Sequence, residues 1–174
     1  MVLYRRNHVP GGTYFFTLTL RNRSSRILVE EIGALRWSLR KIKAERPFEI
    51  LAMVVLPDHL HAVWRLPDGD DRYATRIQIL KFRFTEALKA KGIPLPRYAN
   101  GERALWARRF WEHTIRDEED LRAHVDYVHY NPVKHGVVDH VSAWPYSTFH
   151  RDVAAGRTGR DWGSMPASGM PGDR

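Results

Sequence analysis

The chain has 174 residues, of which 28 are Lys or Arg and 20 are Asp or Glu, so its formal net charge at pH 7 is +8. A basic excess on a sequence of globular length favours a polyanionic partner, most commonly nucleic acid. The sequence contains no cysteine, which excludes disulfides, thiolate zinc sites and a cysteine nucleophile. No apolar run is long enough for a signal peptide or a bilayer span, so we expect a soluble, cytoplasmic protein.

The first half of the chain alternates between strand and helix patterns. In residues 13–21 apolar and polar side chains alternate, which is the period of a half-buried strand. Residues 29–45 instead repeat apolar side chains every three or four positions, which predicts an amphipathic helix that ends before Pro47. Residues 48–56 and 59–66 are predicted to form an antiparallel pair of strands joined by a short turn.

The second half of the chain continues with two helices and one strand. A second amphipathic helix is predicted over residues 73–92, and the later part of residues 106–115 is predicted to be a strand. Asp117 is a good N-cap followed by an acidic first turn, so we expect a third helix to begin there. Pro132 is expected to stop this helix at Asn131.

The order of these elements is typical of an α+β fold. Strands joined in hairpins, with helices packed on one side of them, predict a ferredoxin-like sandwich built on an antiparallel sheet. After a short helical candidate that ends near Ala155, residues 156–174 are rich in Gly, Ser, Pro and Arg. We therefore expect one domain over residues 1–155 and a flexible tail over residues 156–174.

Two histidines on the third predicted strand form the first candidate site. His59 and His61 are two residues apart, so both imidazoles point to the same face of the strand and are able to converge on one metal ion. The alternative interpretation is a pair of surface histidines on the solvated face of an edge strand. A His-x-His pair taken alone favours this alternative.

One face of the third predicted helix forms the second candidate site. His124, Tyr127 and Asn131 follow each other at spacings of three and four residues, which places them on one side of a helix. Tyrosine can serve as a covalent nucleophile, and the amide oxygen of Asn131 is a ligand type that suits Mg²⁺ or Mn²⁺. A helix-edge tyrosine and a helix-terminal asparagine are also common without any function, and Pro132 disfavours helical geometry at Asn131.

The two candidate sites gain specificity from a resemblance that extends from about residue 4 to residue 162. Five collinear segments resemble the REP-associated tyrosine transposases, which are domesticated relatives of the single-tyrosine insertion-sequence transposases in the HUH endonuclease superfamily. These segments are GGTYFFT (11–17), VVLPDHLH (54–61), RFWEH (109–113), VDYVHYNPVKHG (125–136) and WPYST (144–148).

The resemblance implies a role for each candidate residue. His59 and His61 would be the metal-binding pair, Tyr127 the nucleophile, and Asn131 the polar residue that follows it by one turn and joins the metal site. The expected cofactor is Mg²⁺ or Mn²⁺. The family acts on repeated extragenic palindromes (REPs), cutting and rejoining single strands beside a hairpin through a 5′-phosphotyrosine. The insertion-sequence relatives pair up, whereas this branch is regarded as monomeric, so we expect a monomer and leave a dimer open.

Basic side chains supply the predicted DNA-binding surface. They cluster near the first strand and beside the aromatic residues that precede the third helix, a combination that suits single-stranded or hairpin DNA. Most of the aromatic rings are assigned to packing. The predicted DNA-binding residues are Arg5, Arg6, Arg21, Arg23, Arg26, Arg108 and Arg109.

Several alternatives stay open at this point. Tyr130 is a rival nucleophile, but it lies about 300° around the helix from Tyr127, so both cannot face the histidine pair. His124 is a base, a third metal ligand or a surface residue, and Asp58 and Glu112 either orient the ligands or belong to turns and surface. Two other functions are a non-catalytic hairpin-DNA-binding protein and a hydrolytic metallophosphoesterase.

Overall fold

The computed structural model describes residues 7–98, 101 and 104–163. Their strands form one sheet, in which every pair of neighbours is antiparallel. The strands are β1 (Thr13–Thr19), β2 (Glu49–Val55), β3 (His59–Arg65) and β4 (Trp111–Thr114). The helices are α1 (Ile27–Glu30), α2 (Ile32–Glu45), α3 (Tyr73–Ala90), α4 (Glu118–Lys134) and α5 (Phe149–Ala154), with a short 3-10 turn at Val141–Ala143.

The sheet topology confirms the predicted ferredoxin-like α+β fold. The strand order is β2-β3-β1-β4, so the first and third strands along the chain pair at the centre. The bounds of β1, β2 and β3 agree with the sequence prediction to within two residues. This centre matters for function because β3 carries the two candidate histidines, with β1 directly beside it.

The helices cover both faces of the sheet, so the expectation of helices on one side is wrong. Neighbouring residues of a strand point to opposite faces: Phe16 packs against Tyr73 of α3, with ring centroids 5.5 Å apart, and Phe15 packs against Tyr127 of α4 at 5.7 Å. His59 and His61 therefore lie beneath α4 and are 5% and 1% exposed. The interpretation of this pair as solvated surface histidines is also wrong.

The helix predicted over residues 29–45 is divided in two. The chain leaves helical geometry at Glu31, where φ is −110° and ψ is 33°, and α1 and α2 lie on either side of this residue. The apolar stripe continues across the break, with Leu28, Val29 and Leu35 all buried. Because apolar periodicity reports only which side chains are buried, it does not detect a single non-helical residue.

Helix α4 begins as predicted, but it does not stop at Pro132. Asp117 caps its start and accepts a hydrogen bond from the Asp120 N–H at 2.8 Å. Pro132 lies inside the helix, which ends at Lys134 and is followed by Gly136 with φ 64°. There the Val137 N–H bonds the Pro132 carbonyl at 2.9 Å, the long bond of a Schellman motif. Pro132 lacks a backbone N–H donor, but the N–H groups of His135, Gly136 and Val137 donate hydrogen bonds that complete the last turn.

The segment after α5 contacts the rest of the fold as far as it is described. The Trp162 ring lies 6.1 Å from the Phe149 ring and 6.2 Å from the His129 ring. The division into a domain and a tail at residue 155 stays a prediction. Within the described segments, no helix combines the length and apolar content that crossing a bilayer requires.

Candidate active site

A cavity of about 450 Å³ lies between the central strands and α4. The cavity is lined by alternate residues of β1 and β3 and by one face of α4. The lining includes Thr17, Arg23, His59, His61, Arg109, Tyr127 and His135. Imidazoles, a phenol and guanidinium groups therefore meet in one open space.

Each of the two histidines of β3 is held at Nδ1 by a neighbouring side chain. The Thr17 hydroxyl lies 2.8 Å from Nδ1 of His61, across the β1–β3 pair, and Oδ1 of Asp58 lies 2.8 Å from Nδ1 of His59. Within the part of the chain that is described, Nε2 of His61 is buried without a hydrogen-bond partner. A buried nitrogen in this state is a candidate metal ligand.

The buried position of His61 favours the form of imidazole that binds metals. Burial lowers the pKa of His61 well below its ordinary value, and the neighbouring basic groups His59, His135 and Lys134 act in the same direction. Because a metal ion binds the neutral ring, this environment prepares Nε2 as a ligand near neutral pH.

Tyr127 lies directly beside this pair. Its ring centroid is 5.2 Å from that of His61, and it is 4% exposed. Nζ of Lys134 is 3.5 Å from the Tyr127 hydroxyl oxygen and 4.7 Å from the ring centroid. An ammonium group at this position favours negative charge on the phenolic oxygen. Tyr130, the rival nucleophile, lies beside Gly163 and is not in the cavity lining.

Asn131 also reaches the site, because α4 stays helical past it. Its side chain is fully buried next to His61, where it favours the charged imidazole. Neither its amide oxygen nor its amide nitrogen makes a hydrogen bond of good geometry to another described residue. The amide oxygen is therefore available for a ligand.

His135 is a neighbour of the site that the sequence analysis missed. Its ring centroid is 4.9 Å from that of His59, and ligand atoms of His59, His61 and His135 all lie within 4.8 Å of one another. His135 follows Asn131 by four residues, a spacing that would have revealed it. The signal was lost because the helix was expected to end at Asn131.

Asp58 acts on the site, whereas Glu112 does not. Burial alone would raise the pKa of Asp58, but hydrogen bonds from His59 and Arg23 outweigh burial and hold the pKa below its ordinary value. The Arg23 bond is 2.5 Å long. Glu112 lies on the other face of the sheet, where the Tyr73 hydroxyl is 3.5 Å from its carboxylate.

His124 belongs to a second cluster at the edge of the cavity. Its Nδ1 lies 2.8 Å from the backbone oxygen and 3.1 Å from the Oδ1 carboxylate oxygen of Asp120. Nε2 of His113 lies 2.8 Å from Oδ2 of Asp120, and the two histidine rings stack with centroids 4.6 Å apart. His124 is therefore a buried residue, and the interpretation of it as a surface residue is wrong.

Only some of the predicted DNA-binding arginines lie at the cavity. Arg23 and Arg109 line it, and the Arg21 guanidinium lies 3.8 Å above the Tyr98 ring. Arg26 and Arg108 are exposed. Trp111 is 44% exposed and lines the same cavity, so one aromatic ring is available for stacking. Arg5 and Arg6 lie outside the described residues.

Comparison with known proteins shows the family. A REP-associated tyrosine transposase of Escherichia coli K12 is 48% identical over 171 residues, which is 98% of this chain and 96% of the relative. The chain belongs to the REP-associated tyrosine transposases. A candidate member of the same family from Haemophilus influenzae Rd is 45% identical over 98% of both chains. No family model matches the sequence.

Solved structures agree with this assignment. A REP-associated tyrosine transposase bound to a REP hairpin superposes with a TM-score of 0.86 at 47% identity, covering 100% of this chain and 98% of that one. A proposed transposase from Deinococcus radiodurans R1 has a TM-score of 0.50 at 18% identity, over 68% of this chain and 90% of that one, and shares the fold. Family membership makes the protein a transposase-like DNA enzyme.

Proposed function

We propose that the protein is a metal-dependent endonuclease and strand transferase that acts on single-stranded DNA at REP-type hairpins through a 5′-phosphotyrosine. The solved relative is bound to a REP hairpin, which supports the hairpin substrate. The observation that carries the chemistry is the position of Tyr127, whose ring lies 5.2 Å from that of His61 in a cavity that also contains His59. A nucleophile and two metal-ligating side chains are the parts that this reaction requires.

The donor atoms of the cavity fit a divalent metal ion. Nε2 of His61 and the amide oxygen of Asn131 are buried and lack protein hydrogen bonds within the described segments, and Nδ1 of His59 is held by Asp58. His59, His61 and Asn131 would hold Mg²⁺ or Mn²⁺. A divalent ion there would supply positive charge for the phosphoryl oxygens.

Tyr127 performs the covalent step in this proposal. Its hydroxyl oxygen attacks phosphorus and forms the phosphotyrosine bond, while the bond from phosphorus to the 3′ oxygen of the preceding nucleotide breaks. The phenol loses its proton to solvent, and the leaving oxygen gains one to become a free 3′-hydroxyl. Lys134, 3.5 Å from the Tyr127 hydroxyl oxygen, favours the phenolate. Attack by a 3′-hydroxyl reverses the step and rejoins the strand without ATP.

Basic side chains around the cavity would bind the phosphates of the DNA. Arg23 and Arg109 are the nearest, since both line the cavity. Exposed Arg26 and Arg108, together with Arg21, extend the positive surface. Such contacts fix the register of the strand and contribute no base specificity of their own. Arg5 and Arg6 remain predicted members of this surface, and the cytoplasmic location and monomeric state remain predictions.

The decisive experiment uses a REP-type hairpin oligonucleotide with single-stranded flanks, labelled at its 3′ end. After incubation with Mg²⁺ or Mn²⁺, a denaturing gel should show label attached to the wild-type protein. Tyr127→Phe should form no adduct, because the attacking oxygen is absent. Tyr130→Phe is the matched control and should form the adduct at the wild-type level.

The other outcomes separate the competing functions. Salt-sensitive hairpin binding without cleavage or metal dependence would indicate a non-catalytic binding protein. Released product without a protein-linked intermediate at early times would indicate attack by water. An adduct that forms equally well on Tyr127→Phe would disprove the assignment of the nucleophile.

A further inference from the structure

The end of α4 presents two side chains to the histidine pair of β3. Asn131 and His135 are four residues apart, so they lie on the same side of the helix. Pro132 does not interrupt the helix between them, and the His135 N–H bonds the Asn131 carbonyl at 3.0 Å. The Schellman turn at Gly136 then leads the chain away. This ending places the His135 ring beside the cavity.

The three imidazoles are close enough to bind one ion. Two nitrogens that bind one ion at about 2.1 Å are at most about 4.2 Å apart. The ligand atoms of His59, His61 and His135 lie within 4.8 Å of one another. Three donors on one ion cannot all be trans, so most of these pairs would have to close to about 3–3.5 Å, a movement of up to about 1–2 Å. His135 is exposed, and a rotation of its ring would supply the movement.

We propose that His135 is a further ligand of the divalent ion and that the resulting nitrogen-rich site selects Mn²⁺ over Mg²⁺. The proposal rests on the proposed function, because it concerns the same metal site. The strand would supply two imidazoles, His59 and His61, and the helix would supply the Asn131 oxygen and the His135 imidazole. An ion held by these four side chains would supply positive charge to a bound phosphate.

The ligand types decide the choice of ion. Mg²⁺ binds oxygen donors, retains several waters and is rarely enclosed by protein ligands alone. Imidazole suits Zn, Cu, Fe and Ni best, whereas Mn²⁺ is bound mainly by oxygen donors and is the weakest binder of the first-row divalent ions. As a first-row transition metal, Mn²⁺ still binds imidazole better than Mg²⁺ does. Two imidazoles and one amide would leave this preference weak. A third imidazole raises the nitrogen donors from two of three protein ligands to three of four and shifts the site further towards Mn²⁺.

The test measures metal binding on the full chain without DNA. Free Mn²⁺ has a sharp six-line electron paramagnetic resonance signal that broadens on binding, so a titration gives the dissociation constant. Competition with Mg²⁺ gives the selectivity. His135→Ala should weaken Mn²⁺ binding about tenfold or more and reduce the Mn²⁺/Mg²⁺ ratio. Pulsed measurement of ¹⁴N coupling to the bound Mn²⁺ should detect fewer imidazoles.

Two further variants make the result specific. His140→Ala removes an exposed histidine that belongs to neither cluster of candidate ligands and should leave Mn²⁺ affinity unchanged. His135→Gln keeps a polar side chain of similar length and should lose the ¹⁴N coupling of one imidazole while retaining part of the affinity. Circular dichroism of each variant confirms that it is folded.

The outcomes distinguish this proposal from the proposed function. If wild type binds Mn²⁺ and forms the covalent adduct, but His135→Ala keeps the same affinity and ¹⁴N coupling, His135 is not a ligand and the proposed function stands. If wild type binds no Mn²⁺ and forms the adduct without metal, both the ligand assignment and the metal dependence are overturned.

Discussion

Two clusters of potential metal ligands lie near the same cavity, and they differ in what their polar atoms already contact. The first is the open cluster, His59, His61 and His135; the second is the closed cluster, His113, Asp120 and His124. In each, the candidate atoms lie within 4.8 Å of one another. Residue type and spacing alone do not distinguish them.

Hydrogen bonding separates the two clusters. In the open cluster, Nε2 of His61 is buried and lacks a partner among the described residues. In the closed cluster, both histidine rings contact the Asp120 carboxylate, and Nε of Arg116 lies 3.2 Å from it. An ion there would have to displace the contacts that already satisfy Asp120. We therefore assign chemistry to the open cluster and structural support to the closed cluster.

Removal of one imidazole from each cluster should give the largest contrast. His61→Ala is expected to reduce adduct formation at least about a hundredfold, since the charge that offsets the phosphoryl oxygens is lost. His113→Ala should leave the rate within a few-fold of wild type. Single-turnover cleavage of the labelled hairpin measures both. Equal losses in the two variants would contradict the division of roles.

Asp120 should matter for stability and not for chemistry. Its pKa is lowered to about 2: burial alone would raise it, but hydrogen bonds from His113 and Arg116 outweigh burial. Because the pKa of Asp120 is lower in the folded than in the unfolded protein, the ionised carboxylate stabilises the fold at pH values above the unfolded pKa of about 4. This stability is lost as the pH falls towards 2. Asp120→Asn should therefore unfold about 1–2 kcal/mol more easily at pH 7.

Urea denaturation of the metal-free protein between pH 7 and pH 2 measures this difference. The gap between wild type and Asp120→Asn should shrink as the pH approaches 2, because Asp120 becomes neutral in both folded and unfolded states. A gap that stays constant over this range would show that the carboxylate charge contributes nothing.

Substitution of Asp58 tests whether its contact with His59 supports metal binding by the open cluster. Its carboxylate holds Nδ1 of His59 at 2.8 Å, and loss of such a partner typically weakens metal binding about tenfold. Asp58→Ala should therefore raise the dissociation constant for Mn²⁺ by about this factor, whereas Asp120→Asn should not change it. A Mn²⁺ titration of both variants gives the comparison, and identical affinities would remove the role of Asp58.

The smallest effect is expected for the arginines beside the two clusters. Arg109 lines the cavity, so Arg109→Ala should weaken hairpin binding a few-fold and reduce the salt dependence by about one phosphate contact. Arg116 is bonded to Asp120, and Arg116→Ala should leave the salt dependence nearer to wild type. Fluorescence anisotropy at several salt concentrations measures how the hairpin-binding constant of each variant depends on salt. Equal salt dependence in the two variants would show that Arg109 does not contact phosphate.

Local patterns in the sequence predicted much of the fold and the centre of the site. The alternation in β1 and β3 places His59 and His61 on one face, and the Asp117 cap gives the correct start of α4. The spacing of Tyr127 and Asn131 holds because α4 is helical through both. These features depend on contacts within a few residues along the chain, and such contacts leave a periodic signature.

The errors arose where distant segments decide. His59 and His61 looked solvated because nothing in β3 itself indicates that α4 covers that face. His135 was missed because Pro132 usually ends a helix, and here the last turn is completed by bonds from beyond it. The sequence left the role of Asp58 open, and the structure shows its carboxylate in contact with Nδ1 of His59.

The sequence by itself therefore determined most of the elements and the ferredoxin-like order, because these depend on short-range geometry. The roles predicted for His59, His61, Tyr127 and Asn131 came from the resemblance to the family. The tertiary structure alone decided which sheet face α4 covers, which histidine cluster has an imidazole nitrogen without a protein partner, and that His135 joins the site. Those outcomes depend on packing between segments far apart in the chain, where hydrogen bonds formed elsewhere determine which polar atoms remain available.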